Sequence, residues 1–350
     1  MVDDWPFVSI IVPVYNGGRT IDALLSSLLA LDYPADRHEI LIVDNKSTDD
    51  TRERIQRYPV TLLEETEIQS SYAARNRGIE AAKGEILAFT DADCVVEPTW
   101  LKRLLADHED SRWGGFVGSR KAYPPANLIE RYCAHEGMFD LSRLQKPLFQ
   151  ADSIGERLCS RVPVLDYRSH ILLPADLISP PTANVAYRRI VFEKIGYFDQ
   201  RMTSGGDLDL AWRLQTLTDW QIAIMPDAII YHRHRTSLRG LTSLYRNHAA
   251  GHAILALKYG DDPERIAWQL MAESLLLMVL TVPSHLFRIL VCSLRAIIGR
   301  RSDILFWSEP IITLLCALYY HYGKLEGAQH RRQSMESPEV QPVCDLSTRR

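Results

Sequence analysis

Two aspartates separated by one alanine, Asp91 and Asp93, stand where the apolar run EILAFT gives out. Carboxylates this close repel one another, and burial raises the cost unless a cation joins them. Oxygen ligands suit Mg2+ or Mn2+, which also take diphosphate oxygens and waters. The pattern reads either as a metal–diphosphate site or as a turn whose carboxylates cap the next segment. Asp44 closes a second apolar run and could accept hydrogen bonds from a base or ribose, or form a local turn with Asn45 and Ser47. Arg75 could meet a phosphate or lie on a helix surface.

A second acidic group follows a glycine pair in Ser204-Gly205-Gly206-Asp207-Leu208-Asp209. Asp207 and Asp209 lie about 200° apart on a helix, so they cannot share one task. Asp209 pairs with Arg213 at i,i+4. Asp207 is left at the loop–helix junction, as a general base or as a helix cap. In Tyr231-His232-Arg233-His234-Arg235 the two histidines point to one face of a strand end, as a metal ligand or as a solvated basic edge.

The elements that must position these groups alternate. Val8–Val14 is a β-branched run suited to a strand buried on both faces. Gly17-Gly18 break it, and Ile21, Leu24, Leu25 and Leu28 then recur at helical spacing. Strands are expected at 39–43, 60–63 and 85–90, helices at 71–83 and 98–108. Further on come a strand at 183–187, helices at 190–195 and 207–216, and two strands at 221–225 and 228–231. Proline-rich residues 123–181, with a helix at 128–144, read as an insertion carried over the site. The rhythm predicts an α/β fold with an open, mostly parallel sheet, whose ligands bind beyond the carboxyl ends of the strands.

Taken in order, VSIIVPVYNGGRTIDALLSSLLALDYP, EILIVDNKSTDDT, AARNRGIEAAKGEILAFTDADC, PTANVAYRR and SGGDLDLAWRL resemble the inverting family-two glycosyltransferases of the GT-A fold, over about residues 8–235. The resemblance implies that Pro13, Tyr15 and Asp44 line the nucleotide pocket, with Asp44 near the base, and that Arg75 lies near the nucleotide or diphosphate. It makes Asp91 and Asp93 the metal-binding DxD, with Asp93 the more direct ligand, and places Asn184 near donor sugar and acceptor. Asp207 takes the place of the catalytic base. There the family writes two acids, and Gly206 stands at the first. His232, in preference to His234, falls where some relatives supply a further metal ligand. Trp212-Arg213 lacks the glutamine of the processive signature, which argues for single-sugar transfer.

The implied activity is Mn2+- or Mg2+-dependent transfer of a sugar from a nucleotide-sugar, UDP-sugar favoured, to a hydroxyl of a polysaccharide, lipid-linked or glycolipid acceptor. Two other readings stay open: a nucleotidyltransferase of similar fold and a non-catalytic membrane scaffold.

Across 350 residues, 46% hydrophobic and 24% charged composition excludes a disordered, collagen-like or polytopic membrane chain, and a net charge of −4 gives no electrostatic case for nucleic acid. Six scattered cysteines without a CxxC pair read as reduced thiols. The acidic N-terminus reads as no signal peptide. From about Ile266 to Tyr322, within a helical region expected over residues 241–328, the sequence turns strongly apolar. Fourteen residues without acid, Lys or Arg lie between Glu273 and Arg288, and fourteen more between Glu309 and Lys324. Both fall short of the eighteen or so that a spanning helix needs. With Arg288, Arg295, Arg300 and Arg301 forming a basic stripe, the segment is expected as an amphipathic helical region on the cytoplasmic face of the membrane. Residues 1–240 are then the catalytic domain and 329–350 a flexible tail, with the oligomeric state left open.

Overall fold

A computed structural model of the chain describes residues 5–137, 177–297 and 304–335, with the single positions 157 and 161. Most of the expected insertion, the far part of its 128–144 helix and the side chains of Arg288, Arg295, Arg300 and Arg301 lie outside the described residues. The chain clusters into two compact units, one of Met1–Phe149, Pro174–Leu241 and Arg301–Glu309, the other of Gln150–Leu173, Thr242–Arg300 and Pro310–Arg350.

In the first unit the chain runs β1 (Val8–Val14), α1 (Ile21–Leu29), β2 (His38–Asp44), α2 (Thr51–Ile55), β3 (Thr61–Glu64), α3 (Ser71–Ala81), β4 (Ile86–Thr90), β5 (Cys94–Val96), α4 (Trp100–Leu104), β6 (Trp113–Ala122) and α5 (Leu128–His135). After the undescribed stretch come β7 (Asn184–Arg188), α6 (Arg189–Ile195), α7 (Gly206–Leu217) and β8 (Gln221–His232). The eight strands form one sheet in the order β3-β2-β1-β4-β7-β6-β8-β5. β3, β2, β1 and β4 are parallel; β7 runs antiparallel between β4 and β6, and β5 antiparallel to β8. Every residue of β1 is buried, because helices cover both faces.

One face carries Val8, Ile10, Val12 and Val14 of β1 against Leu24, Leu25 and Leu28 of α1 and Trp100, Leu101 and Leu104 of α4. The other carries an aromatic cluster in which Phe89 of β4 meets Tyr187 of β7, Phe192 of α6 and Phe198 at ring-centroid separations of 6.4, 6.0 and 5.6 Å.

The sheet differs from expectation at three places. β5 and β6 were not foreseen. The strands expected at 221–225 and 228–231 are one strand, β8, interrupted by a bulge. Gly118 of β6 pairs with Met225 and Ser119 with Ile229, so three residues of β8 have no counterpart. The Asn184 amide seals that irregularity by donating to the carbonyls of Ser119 at 2.8 Å and Ala228 at 2.9 Å, while its oxygen accepts from Trp100 Nε1 at 2.8 Å. α5 is shorter than its apolar pattern suggests, because Gly137 turns to φ +60° just past its end.

The second unit is helical: α8 (Leu238–Lys258, from Thr242), α9 (Pro263–Ile297) and α10 (Ile304–Met335, from Pro310). A Cβ on Gly323 or Gly327 of α10 would come within 2.1 and 2.5 Å of the backbone oxygens of Arg246 and Ala250, so these two glycines let α10 lie directly on α8. Lys324 Nζ meets Glu273 Oε2 at 3.2 Å, with both side chains buried. Arg246 and Glu326 form a second, more exposed ion pair. α10 runs to Met335, so residues 329–335, expected as the start of a flexible tail, are helical; residues after 335 lie outside the described part.

Candidate active site

A cavity of about 720 Å³ opens beyond the carboxyl ends of β1 and β4. Pro13, Tyr15, Arg75, Asp91 and Asp93 stand in its wall. β1 and β4 are parallel neighbours, so the residues that follow them emerge at the same sheet edge. Tyr15 is half exposed at the mouth. The loop after β1 is tied to the loop after β2: Asn16 N–H donates to Ser47 Oγ at 2.9 Å, and Thr48 N–H to Asn16 Oδ1 at 2.8 Å.

Asp44 lies behind this wall, buried at the end of β2. Its Oδ2 takes Arg52 Nε at 3.1 Å and the Ser47 N–H at 3.3 Å. Its Oδ1 is buried without a hydrogen-bond partner among the described residues, an acceptor left open.

Arg75 Nη2 donates to Asp91 Oδ1 at 2.6 Å. Its buried Nε has no hydrogen-bond partner among the described residues. The guanidinium, in the cavity wall, therefore offsets the charge of the first aspartate.

His232 joins the two aspartates through sheet pairing. β5 runs antiparallel to β8 with Cys94 opposite His232, so the strand that follows the DxD delivers the imidazole to it. His232 Nε2 lies 3.5 Å from Asp93 Oδ1 and 3.9 Å from Asp91 Oδ2. Its Nδ1 is 2.8 Å from the Arg233 carbonyl, which can only accept. Nδ1 can therefore donate to that carbonyl, which leaves Nε2 facing the carboxylates. Asp93, Cys94 and His232 bring ligand atoms within 4.8 Å of one another. The Cys94 thiol is held protonated, by burial first and then by the charges of Asp93 and Asp91. The ligand set offered is two carboxylates and an imidazole, which suits a hard divalent cation. His234, the alternative ligand, is buried in the cavity wall and held neutral, its pKa pushed down to about 4 by burial and then by His232.

Asp207 opens α7 after Gly205, whose φ is +84°. Its Oδ1 accepts from the Leu208 N–H at 3.1 Å and from the Tyr72 hydroxyl at 3.4 Å. Asp209 is buried and paired with Arg213 Nε at 3.0 Å, and Arg213 also donates to the carbonyls of Ile195 and Tyr197. The two acids of this helix thus have separate surroundings.

Asn184, expected beside donor sugar and acceptor, is instead fully buried within the sheet, and the three hydrogen bonds described above occupy its amide. Asp207 is also absent from the cavity wall and reaches the site's helix α3 through Tyr72. The wall further contains Tyr123, Asn127, Glu130 and Arg233, which sequence reasoning did not single out. Asn127 and Glu130 form a capping box: Asn127 Oδ1 accepts the Glu130 N–H at 3.0 Å, and Glu130 Oε2 the Ala126 N–H at 2.5 Å. The N-x-x-E spacing is a sequence signal that could have found them. The Arg233 guanidinium lies 3.9 Å from the centre of the Tyr123 ring.

Residues 9–162 match the family described as "Glycosyl transferase family 2". The chain is 32% identical over 215 residues to the glycosyltransferase AglE of Haloferax volcanii, which covers 59% of this chain and 61% of that protein. It is 25% identical over 260 residues to the pre-mycofactocin glycosyltransferase of Mycobacterium tuberculosis, 73% of this chain and 48% of that one. The chain thus spans about half to three-fifths of the length of these curated relatives. Among solved structures, the mannosyltransferase PcManGT of Pyrobaculum calidifontis superposes with a TM-score of 0.52 at 18% identity, over 98% of this chain and 78% of that one. Residues 9–162 thus resemble glycosyl transferase family 2 in sequence, and the chain has the GT-A glycosyltransferase fold.

Proposed function

We propose that this protein transfers a sugar from a nucleotide-sugar to an acceptor hydroxyl with inversion, using a divalent metal held by Asp91, Asp93 and His232 and Asp207 as general base. The observation that carries the reading is the meeting of two carboxylates and Arg75 on one cavity at the carboxyl ends of parallel strands, with the His232 imidazole 3.5 Å from Asp93. A nucleotide fits beside Tyr15, whose exposed ring offers a stacking face, and the open Asp44 Oδ1 is a buried acceptor for a base N–H. Arg75 faces the diphosphate. Bound there, Mn2+ or Mg2+ supplies Lewis-acid charge neutralisation for the departing nucleoside diphosphate. Asp207, ionised, takes the proton of the attacking hydroxyl. The metal-site convergence favours this reading over a non-catalytic scaffold.

The solved mannosyltransferase is described with GDP-Man and Mn2+, so GDP stands beside the UDP that the sequence favours. The acceptor in this reading is a polysaccharide, lipid-linked or glycolipid hydroxyl at the cytoplasmic face of the membrane. Its support is α9, where Pro263–Val291 is long and apolar enough to cross a membrane, with mean hydropathy 1.8 and only 13% of the apolar window buried. The apolar residues between Glu273 and Arg288 belong to one continuous helix, which turns Glu273 inward. We place α9 along the bilayer surface, because a spanning helix would carry Glu273 and Lys324 into hydrocarbon.

The test is calorimetric titration of UDP, GDP, UDP-glucose, UDP-N-acetylglucosamine and GDP-mannose with and without Mn2+, on the parent and on an Asp91→Asn/Asp93→Asn variant. Metal-dependent binding by the parent that the variant loses is the expected result. No binding by folded parent would overturn the donor site. Full turnover by Asp207→Asn would remove the assigned base.

A further inference from the structure

Position 206 holds no acid because there is no room for a side chain. A Cβ built on Gly206 would lie 2.9–3.0 Å from three carbons of the Tyr72 ring. That ring is fixed from two sides. It stacks on Phe198 at 5.7 Å with the planes 25° apart, and the Arg75 guanidinium lies 5.5 Å from its centre. Tyr72 itself belongs to α3, which Ser70 caps by accepting the Tyr72 N–H at 3.2 Å. Ring, helix and guanidinium thus hold the phenol in one orientation, and its hydroxyl ends on Asp207 Oδ1 at 3.4 Å. The first amides of α7, at Gly206 and Asp207, act on the same phenol oxygen. Gly205, at the helix start, has no side chain to cap them.

We propose that Tyr72 is the positioning residue of the base: its hydroxyl, seated where Gly206 leaves space, holds the Asp207 carboxylate in one rotamer. The inference rests on Asp207 being the base. The phenol is suited to the task. Burial, and after it the charge of Asp207, hold it protonated far above neutral pH, so it donates throughout the working range. Among the described residues Tyr187 of β7, with its buried hydroxyl, also senses Asp207; its ionisation too is opposed by burial first and by Asp207 second. Arg75 acts on Tyr72 from α3, Arg213 acts on Tyr187 from α7, and Asp209 is turned away into Arg213. The arrangement also joins the two halves of the site. Asp91 is held by Arg75, Arg75 lies on Tyr72, and Tyr72 donates to Asp207, so one helix, α3, positions both a metal carboxylate and the base.

Tyr72→Phe keeps the ring and its packing and removes only the hydroxyl. A carboxylate that loses a charge-assisted donor becomes easier to protonate. Two readouts follow. In protein labelled with carbon-13 aspartate, the Asp207 carboxyl, assigned by difference from Asp207→Asn, titrates differently in Tyr72→Phe, toward higher pH. In Mn2+-dependent hydrolysis of the nucleotide-sugar that the parent binds, kcat falls about tenfold with KM unchanged, and the acid limb of the rate profile moves up with the titration. A purely structural tyrosine would move neither the titration nor that limb. Should Tyr72→Phe fail to fold, 3-fluorotyrosine placed at position 72, a more acidic donor, shifts the Asp207 titration downward. An Asp207 that titrates as in the parent in the folded variant overturns the proposal. The underlying reading fails separately, when Asp207→Asn hydrolyses donor at the parent rate. Loss of activity in Asp207→Asn together with parent-like titration and rate in Tyr72→Phe overturns the tyrosine's role alone.

Discussion

The two compact units handle polarity in opposite ways. In the α/β unit the sheet core is mostly apolar, apart from Asn184 and the Asp209–Arg213 pair, and charged groups gather at the strand ends around the cavity. In the helical unit α9 does the reverse along part of its length. Glu273 and Ser274 are fully buried and Gln269 nearly so, while Val279 is 70%, Phe287 66% and Trp268 60% exposed. The exposed apolar positions 275, 276, 279, 280, 286, 287 and 290 recur at helical spacing, so they form one stripe. Water selects the first arrangement, and a hydrocarbon boundary suits the second, where the cost of exposure changes sign. The helical unit thus turns outward the kind of apolar face that the α/β unit turns inward.

The sharpest way to break the contrast is to remove a charge from inside the helical unit. Glu273→Ala leaves Lys324 buried without its partner and should cost about 3–5 kcal/mol, read by denaturant unfolding. Replacing Glu273 and Lys324 together by leucine should restore most of that loss. The matching change in the α/β unit is Asn184→Ala, which strands Trp100 Nε1 and the carbonyls of Ser119 and Ala228. About 2–3 kcal/mol should be lost, without the recovery that a charge pair allows. Smaller, and confined to the outer stripe, Val279→Asp and Phe287→Asp should each weaken binding to phosphatidylglycerol-containing vesicles by about tenfold. Their unfolding midpoints in water should stay where they are, because both side chains are already exposed.

The smallest effect concerns pH. His252 of α8 is held neutral, its pKa lowered to about 3 from the usual 6.5 by burial and then by His248 and Lys324. The unfolded chain protonates this group first as pH falls. Stability associated with it is therefore complete above pH 6.5 and drains away as pH drops from 6.5 toward 3. His252→Gln should flatten the difference in unfolding midpoint between pH 7.5 and pH 5, by less than about 1.4 kcal/mol per pH unit. A dependence as steep as the parent's would assign the effect to other groups.

What could be read from the residues alone follows physical scale. β1, β2 and β4 are continuous apolar runs because both their faces are covered, and that covering leaves Asp44, Asp91 and Asp93 visible as the first polar residues past the edge. The Asp209–Arg213 pair is a local consequence of helical pitch and was equally visible. β6 was not. Its Gly114, Gly115 and Gly118 give a composition that local propensity reads as loop, and its strand character comes from neighbours far away in the chain. For the same reason Asn184 resembled a ligand contact until its partners on three other segments were in view. Tyr72 carried no sequence signal at all, since a tyrosine in a helix looks like packing, and only the empty space at Gly206 gives it a task.

The bulge in β8 acts on the alternation of the strand as a phase shifter. Before it, the odd-numbered Ala223 and Met225 face the core under α4; after it, the even-numbered Ala228 and Ile230 face that same core. Three unmatched residues are an odd number, so the parity of every later position is reversed, and His232 inherits that reversal. Deleting one residue from 226–228 would restore the ordinary parity and turn the imidazole to the far side of the sheet. Deleting two would preserve it. Along this strand the phase of His232 is set by whether a count is odd or even, several residues before the imidazole itself.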